Sequence, residues 1–93
     1  MKNSEIKSII EALLFASPDP LSQARVNAVF DPETYDLKDI IDVLNKQYTK
    51  EKHAFEIQQV AGGFQLVSKK EYEIFIRRML NKSGRLTLSN AAL

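Results

Sequence analysis

The apolar residues of this chain repeat at two different spacings, and the changes in spacing divide it into elements. Between residues 4 and 16 they follow the 3.6-residue period of an α-helix, with Ile6, Ile10 and Leu14 on one face. The same period returns over residues 21–30, 37–51 and 72–81, whereas apolar and polar residues alternate between 55 and 69 as in strands. The predicted order is therefore helix, helix, helix, hairpin, helix.

Gly62-Gly63 interrupts the alternating stretch and predicts a tight hairpin turn. Two glycines supply the positive φ values of a type I′ turn, so paired residues would have numbers that sum to 125, with Gln59 opposite Leu66. One face of this ribbon is mostly polar and carries Val60 and Val67. The other face carries Phe55, Ile57, Phe64 and Leu66, and we expect the helices to cover it.

Small polar residues mark where the predicted helices begin. In chain order, the expected caps are Asn3 or Ser4, Ser22, Asp36 and Ser68. Ser68 and Glu71 have the spacing of a capping box, in which each side chain satisfies one free backbone N–H of the fourth helix. Taken together, the elements predict an α+β, mainly helical fold: a winged helix-turn-helix domain of three helices, a β-hairpin wing and a closing helix.

The apolar stripes predict which side chains are buried. In the second helix these are Val26, Val29 and Phe30, and in the fourth they are Tyr72, Phe75, Ile76, Met79 and Leu80. Three apolar residues lie off the stripes of their helices, and we treat them as candidate protein-interaction residues: Phe15, Val43 and Ile74. The alternative is that each is a satellite of the core.

Composition argues against chemistry in this chain. It has 93 residues, enough for one domain with a modest core, and no cysteine. The single histidine, His53, is expected to be exposed in a charged loop without the companions that a ligand or a general base needs. We therefore expect no enzyme activity, no catalytic residue, no cofactor and no metal. The absence of a signal-like start and of a long apolar run favours a cytoplasmic protein that does not enter a membrane.

Charge is distributed unevenly. Residues 1–68 hold seven Lys and Arg against ten Asp and Glu, whereas residues 69–93 hold six against two. The basic residues Lys69, Lys70, Arg77 and Arg78 are candidates for a weak contact with phosphate or an acidic partner, and a solvated helix face is the alternative.

A winged helix that binds DNA as a transcriptional regulator is the alternative function for this fold. The N-terminal part of the third helix would then enter the major groove, but it carries Asp36, Asp39 and Asp42. Carboxylates there would repel phosphates, so specific readout of DNA is not expected.

Three segments of the chain resemble the segregation and condensation protein B (ScpB) family. They are IEALLFAS at residues 10–17, followed by Pro20-Leu21; the stretch from Phe55 to Leu66 with VAGGF; and the closing helix with Tyr72, Arg77, Arg78 and Leu80, followed by LTLSNAAL at residues 86–93. The resemblance spans nearly the whole chain in the family's order.

The resemblance implies a non-enzymatic subunit of the bacterial SMC–kleisin condensin complex, acting in chromosome condensation and segregation. Its partners would be a second copy of the chain, the kleisin segregation and condensation protein A (ScpA) and, through the kleisin, the SMC ATPase, at the nucleoid in the cytoplasm. The resemblance also implies that residues 1–82 are an N-terminal winged-helix domain. Residues 83–93 would be a linker and the start of a second winged-helix domain cut short, so the chain is expected to be an N-terminal fragment.

Overall fold

A computed structural model describes residues 2–83 of the chain and the side chains of residues 2–81. In chain order, its elements are α1 (Asn3–Ala16), α2 (Gln23–Phe30), α3 (Leu37–Lys50), β1 (Phe55–Val60), β2 (Gly63–Ser68), a 3₁₀ turn (Lys70–Tyr72) and α4 (Glu73–Ser83). This order confirms the predicted winged helix-turn-helix plan. The expected linker and second domain lie, apart from residue 83, outside the described residues.

The core lies between the first three helices and the inner face of the hairpin. Ile10 of α1 and Val26 of α2 are completely buried. The other buried apolar side chains of the described residues are Ile6, Leu14, Leu21, Phe30, Leu37, Ile41, Leu44, Tyr48 and Ile57. Burying one such side chain contributes on the order of 1.5–3 kcal/mol, so this cluster is the main source of stability.

Two of the four predicted helix caps are confirmed. The Ser22 hydroxyl accepts a hydrogen bond from the Arg25 backbone N–H at 3.2 Å, and the Asp36 carboxylate accepts one from the Asp39 N–H at 3.4 Å. The prediction for α1 is wrong, because that helix already begins at Asn3 and Lys2 occupies the cap position. The Glu5 carboxylate accepts from the Lys2 N–H at 3.1 Å, so a first-turn carboxylate ties down the chain ahead of the helix.

Helix α2 is shorter than predicted because Leu21 forms an isolated antiparallel β-bridge with Phe64. The Leu21 N–H donates to the Phe64 carbonyl at 2.8 Å, and the Phe64 N–H donates to the Leu21 carbonyl at 2.9 Å. The expected burial of Val29 is also wrong, since it is about half exposed on the outer side of α2. The eight-residue helix buries only Val26 and Phe30.

The hairpin forms where predicted, but its register is shifted by two residues. Paired residues have numbers that sum to 123, with Ile57 opposite Leu66 and Gln59 opposite Phe64. The loop is therefore Ala61-Gly62, and only Gly62 of these two has a positive φ, at 92°. A positive φ at the second loop residue alone is typical of a type II turn, not of type I′. A shift of two residues preserves the alternation, so the predicted inner and outer faces are unchanged.

Gly63 is needed for a close backbone contact and not for the conformation of the turn. A Cβ atom on Gly63 would lie 2.2 Å from the Leu21 carbonyl oxygen, and its φ of 149° is one that L side chains rarely adopt. The missing side chain lets the Leu21 backbone approach β2 and form its pair of hydrogen bonds with Phe64. Gly63 therefore joins the wing to the segment between α1 and α2.

Asn45 of α3 fixes the other edge of the hairpin. Its side-chain amide donates to the Ile57 carbonyl at 2.9 Å and accepts from the Ile57 N–H at 2.8 Å. These are the two bonds that a neighbouring strand would make, so one side chain satisfies this point of the β1 edge.

The structure contradicts the prediction for α4 in two respects. Ser68 ends β2 and does not cap α4, because the 3₁₀ turn comes between them and has Lys69, without a side-chain cap bond, ahead of it. The predicted buried stripe is not buried: only Ile76 is partly covered, whereas Tyr72, Phe75, Met79 and Leu80 are exposed. Helix α4 therefore presents its apolar face away from the core of its own chain.

His53 is less exposed than expected. Its ring stacks on Phe55 with a centroid distance of 4.8 Å, and its Nε2 lies 2.9 Å from the Glu51 carboxylate. Aromatic packing against the base of the wing accounts for this position.

Candidate protein-interaction site

An apolar groove runs between α1 and the hairpin. We define the α1–hairpin groove by Ala12 and Phe15 of α1, Phe55 of β1, and Leu66 and Val67 of β2. Its volume is about 680 Å³. Apolar grooves that stay uncovered on a small domain are typical places for a protein partner to bind.

Phe15 lies at the mouth of this groove and is 82% exposed. The buried face of α1 points to the core, and the helical period turns Phe15 away from it. Ala12, one turn earlier, has a side chain too small to fill the space beside Phe15. This phenyl ring is the most exposed of the large apolar side chains that the structure describes.

A hydrogen bond between two helices closes the polar end of the groove. The Tyr48 hydroxyl of α3 donates to the Glu11 carboxylate of α1 at 2.5 Å. Burial of the Tyr48 ring raises the pKa of its hydroxyl above its ordinary value, and the hydrogen bond and the negative charge of Glu11 act in the same direction. The bond holds α1 at a fixed distance from the base of the wing, where Tyr48 also packs edge-on against Phe55.

Val43 lines a separate groove between the N-terminal halves of α1 and α3. It is 46% exposed, and its neighbours in this groove of about 420 Å³ include Lys7, Asp39 and Ile40. Tyr35 lines it as well, and partial burial together with the nearby Glu33 carboxylate raises the pKa of that tyrosine. The structure therefore does not bring Val43 and Phe15 to one surface.

Ile74 lies on α4 and is about half exposed. The helical period places it on the side opposite to the apolar stripe of this helix. We define the α4 face by four exposed residues: Tyr72 at the end of the 3₁₀ turn, and Phe75, Met79 and Leu80 of α4. The sequence singled out Ile74 because it lies off this stripe, but the stripe itself is also uncovered. The helical period of the sequence identifies this stripe correctly. The prediction was wrong only in assuming that a regular apolar stripe is buried within its own chain.

The four basic candidates lie along the 3₁₀ turn and α4. Lys70, Arg77 and Arg78 are exposed, and Lys69 is half buried. Arg77 pairs with Glu73 at 3.2 Å, and the Arg78 guanidinium lies 5.7 Å from the centre of the Phe75 ring. Both arginines thus have intrahelical contacts as well as access to solvent.

Among residues 2–83, no three His, Asp or Glu side chains are grouped so that they could hold a metal ion. Over the same residues, the longest apolar helices are too short or too polar to cross a bilayer.

Comparison with known proteins gives consistent matches over almost the whole chain. A family model described as segregation and condensation complex subunit ScpB matches residues 8–93. The chain is 38% identical to segregation and condensation protein B of Geobacillus thermodenitrificans over 88 residues, which are 94% of this chain and 42% of that protein. The chain therefore spans less than half the length of this relative.

Two solved structures have the same fold. One is a crystal structure of a dimer of an ScpB N-terminal domain complexed with an ScpA peptide; it is 30% identical, covers 82% of this chain and 95% of that one, and has a TM-score of 0.69. The other is ScpB from Mycobacterium tuberculosis, with a TM-score of 0.78 over 98% of this chain and 57% of that one. Its 16% identity shows similarity of fold alone.

Proposed function

This chain belongs to the segregation and condensation complex subunit ScpB family, and we propose that it acts as a non-catalytic subunit of the SMC–kleisin condensin complex. In this proposal, it dimerises and binds the kleisin ScpA, and through the kleisin it works with the SMC ATPase in chromosome condensation and segregation at the nucleoid. Residues 1–82 would be its N-terminal winged-helix domain, and residues 83–93 would lead into a second one.

The observation that carries this proposal is that the folded domain leaves large apolar side chains uncovered on two separate surfaces. Phe15 stands at the α1–hairpin groove, and Phe75 stands on the α4 face, 60% exposed. Exposed apolar groups scattered singly are ordinary, whereas groups gathered on a groove and on a helix face are typical of surfaces that bind other proteins. Two such surfaces match a subunit with two kinds of partner, as in the related dimer with its ScpA peptide.

We assign the α4 face to the second copy of the chain. An amphipathic helix can pair with its own copy about a two-fold axis, so that the same residues contribute from both sides. The experiment is sedimentation velocity over a range of concentrations with Phe75→Glu and Ile74→Glu. Both substitutions add one charge to an exposed site of α4, but only the first lies on the α4 face.

We expect Phe75→Glu to shift the protein to monomer and Ile74→Glu to leave its association unchanged. The reverse result would assign the contact to the opposite side of α4, where the sequence predicts Ile74 as an interaction residue. Association that neither variant weakens would remove α4 from the interface.

We assign the α1–hairpin groove to ScpA. The matched variants are Phe15→Glu at this groove and Val43→Glu at the groove between α1 and α3, with binding to ScpA of the same organism measured by calorimetry. We expect Phe15→Glu to weaken binding by at least about tenfold, because a charge would have to be desolvated against apolar groups, and Val43→Glu to have little effect. An unmodified chain that does not bind ScpA would overturn the proposed function itself.

A further inference from the structure

The two strands of the hairpin direct their backbone groups in an alternating pattern. The Lys69 N–H donates to the Ala54 carbonyl at 2.9 Å, which makes residues 54 and 69 a hydrogen-bonded pair just outside the ladder. In an antiparallel ladder such pairs alternate with pairs whose N–H and C=O groups point outward. The observed register therefore directs the backbone groups of Gln65 and Val67 toward β1, and those of Phe64, Leu66 and Ser68 away from it.

On each edge of the hairpin, one outward-facing residue already has both of its backbone groups paired. On the β1 edge, the side chain of Asn45 pairs with both backbone groups of Ile57. On the β2 edge, the backbone of Leu21 pairs with both backbone groups of Phe64. Two residues further along the β2 edge, within the part of the chain that the structure describes, neither the N–H nor the C=O of Leu66 has a hydrogen-bond partner.

This open position lies on the α1–hairpin groove, because Leu66 and its neighbours Val67 and Ser68 line one side of it. A partner that fills the groove will remove water from the Leu66 backbone. A helix uses its own N–H and C=O groups internally and would leave those of Leu66 unpaired, at a cost comparable to a lost hydrogen bond for each group. An extended segment supplies a donor and an acceptor at the required spacing.

We propose that the ScpA segment binds in the α1–hairpin groove as an added β-strand on the outer edge of β2. This inference rests on the proposed function and adds the mode of recognition. The added strand continues the line that Leu21 begins beside Phe64, and pairs with the N–H and C=O of Leu66. The side chains of the segment that share the inner face with Leu66 point toward Phe15, so an apolar residue is expected there, while the main-chain bonds carry little sequence preference.

The first test uses a synthetic peptide with the sequence of the ScpA segment that the related dimer binds, taken from the organism of this chain. Single N-methyl groups are placed at successive backbone nitrogens, and each peptide is titrated calorimetrically into the chain. We expect the affinity to fall by about tenfold or more at alternate positions across two to four residues, and to change little at the positions between them.

Other patterns of affinity loss along the methylated peptides indicate other modes of binding. Loss at several consecutive positions indicates a bound helix, since every interior N–H of a helix is used. Tolerance at all positions indicates recognition by side chains alone. Either result overturns the strand proposal and leaves the proposed function standing, whereas an unmethylated peptide that does not bind overturns the proposed function.

The second test follows the chain itself by amide hydrogen exchange. In the free protein, we expect the Leu66 amide to exchange faster than that of Gln65, which points toward β1. Saturation with the peptide should slow exchange at Leu66 by at least about tenfold relative to Gln65, which serves as the internal control. Unchanged relative exchange at Leu66 in the saturated complex would overturn the proposal even if the peptide binds in the groove.

Discussion

Helices α1 and α4 carry equally regular apolar stripes, but only α1 buries its stripe in the core of its own chain. Ile10 at the centre of the α1 stripe is completely buried, whereas Phe75 of the α4 stripe is 60% exposed. Helix α1 faces α3 and the hairpin, while α4 leaves the sheet through a 3₁₀ turn. Periodicity therefore identifies the face of a helix that needs a cover, but it does not tell whether the cover lies in the same molecule.

The largest expected difference between the two helices is in stability. Ile10→Ala would leave a cavity in the closed core and should lower the free energy of unfolding by about 3–4 kcal/mol. Phe75→Ala removes a larger side chain from an exposed site and should cost less than about 0.5 kcal/mol when the protein is dilute enough to be monomeric. Urea unfolding at low concentration measures both.

Raising the protein concentration sharpens this test. If α4 associates with a second copy, Phe75→Ala should become destabilising as concentration rises, because association stabilises the folded state by mass action. A cost for Phe75→Ala as large as that for Ile10→Ala at every concentration would mean that α4 packs on its own domain. The contrast between the helices would then be lost.

The next largest effect separates the two glycines of the wing. Gly63→Ala forces a Cβ against the Leu21 backbone and should cost about 2–3 kcal/mol. Gly62→Ala meets open space, so only its positive φ opposes alanine, and about 1 kcal/mol is expected. Equal costs in urea unfolding would show that the close approach of Leu21 does not hold the wing to the helical body.

The two glycines also show how much of the hairpin can be predicted from the sequence. Gly-Gly correctly predicted a tight turn, and the alternation beside it correctly predicted both faces of the ribbon. The register was wrong because either glycine can take a positive φ, and a shift of two residues leaves the pattern of faces intact. The role of Gly63 depends on Leu21, which lies about forty residues earlier and was assigned to a helix.

The candidate site was predictable to a similar degree. The exposure of Phe15 could be predicted because the helical period turns this residue off its stripe. The open edge at Leu66 could not be found, since it depends on the register and on which neighbours reach each edge. The exposed α4 face was hidden for another reason: amphipathic residues look the same whether their cover is the same chain or another molecule.

A smaller effect concerns one tyrosine in each region. Tyr48→Phe removes the hydrogen bond to Glu11 and should cost about 1 kcal/mol at neutral pH, whereas Tyr72→Phe at the exposed end of the 3₁₀ turn before α4 should cost close to nothing. Because burial raises the pKa of Tyr48 in the folded state, the unfolded chain releases this proton more readily. The stabilisation is complete below the unfolded pKa of about 10 and is lost as pH rises from there toward the higher folded pKa.

Urea unfolding of the parent and of Tyr48→Phe between pH 8 and 11 measures this difference. The gap between the two proteins should narrow above pH 10. A constant difference in the free energy of unfolding across the whole range would mean that the hydroxyl has the same pKa in the folded and the unfolded chain. The hydrogen bond to Glu11 would then not raise the pKa of Tyr48.

The weakest expected contact is that of the basic residues around α4 with DNA, and the lysines of α3 are the comparison. If Lys69, Lys70, Arg77 and Arg78 touch DNA at all, they should do so through phosphates. Binding to a labelled duplex should then weaken by about a hundredfold between 50 and 200 mM salt for four contacts, without sequence preference. Replacing all four by Gln should abolish the salt dependence.

The control replaces Lys38 and Lys46 of α3 by Gln, which should leave duplex binding unchanged because Asp36, Asp39 and Asp42 already make the start of that helix repel phosphate. Lys38 is partly neutralised in any case, since it lies 3.6 Å from Asp42. Sequence-selective binding that the α3 control variant removes would restore the helix-turn-helix mode of DNA recognition. Absence of binding at 50 mM salt would leave the basic side of α4 with an acidic protein, not DNA, as its candidate partner.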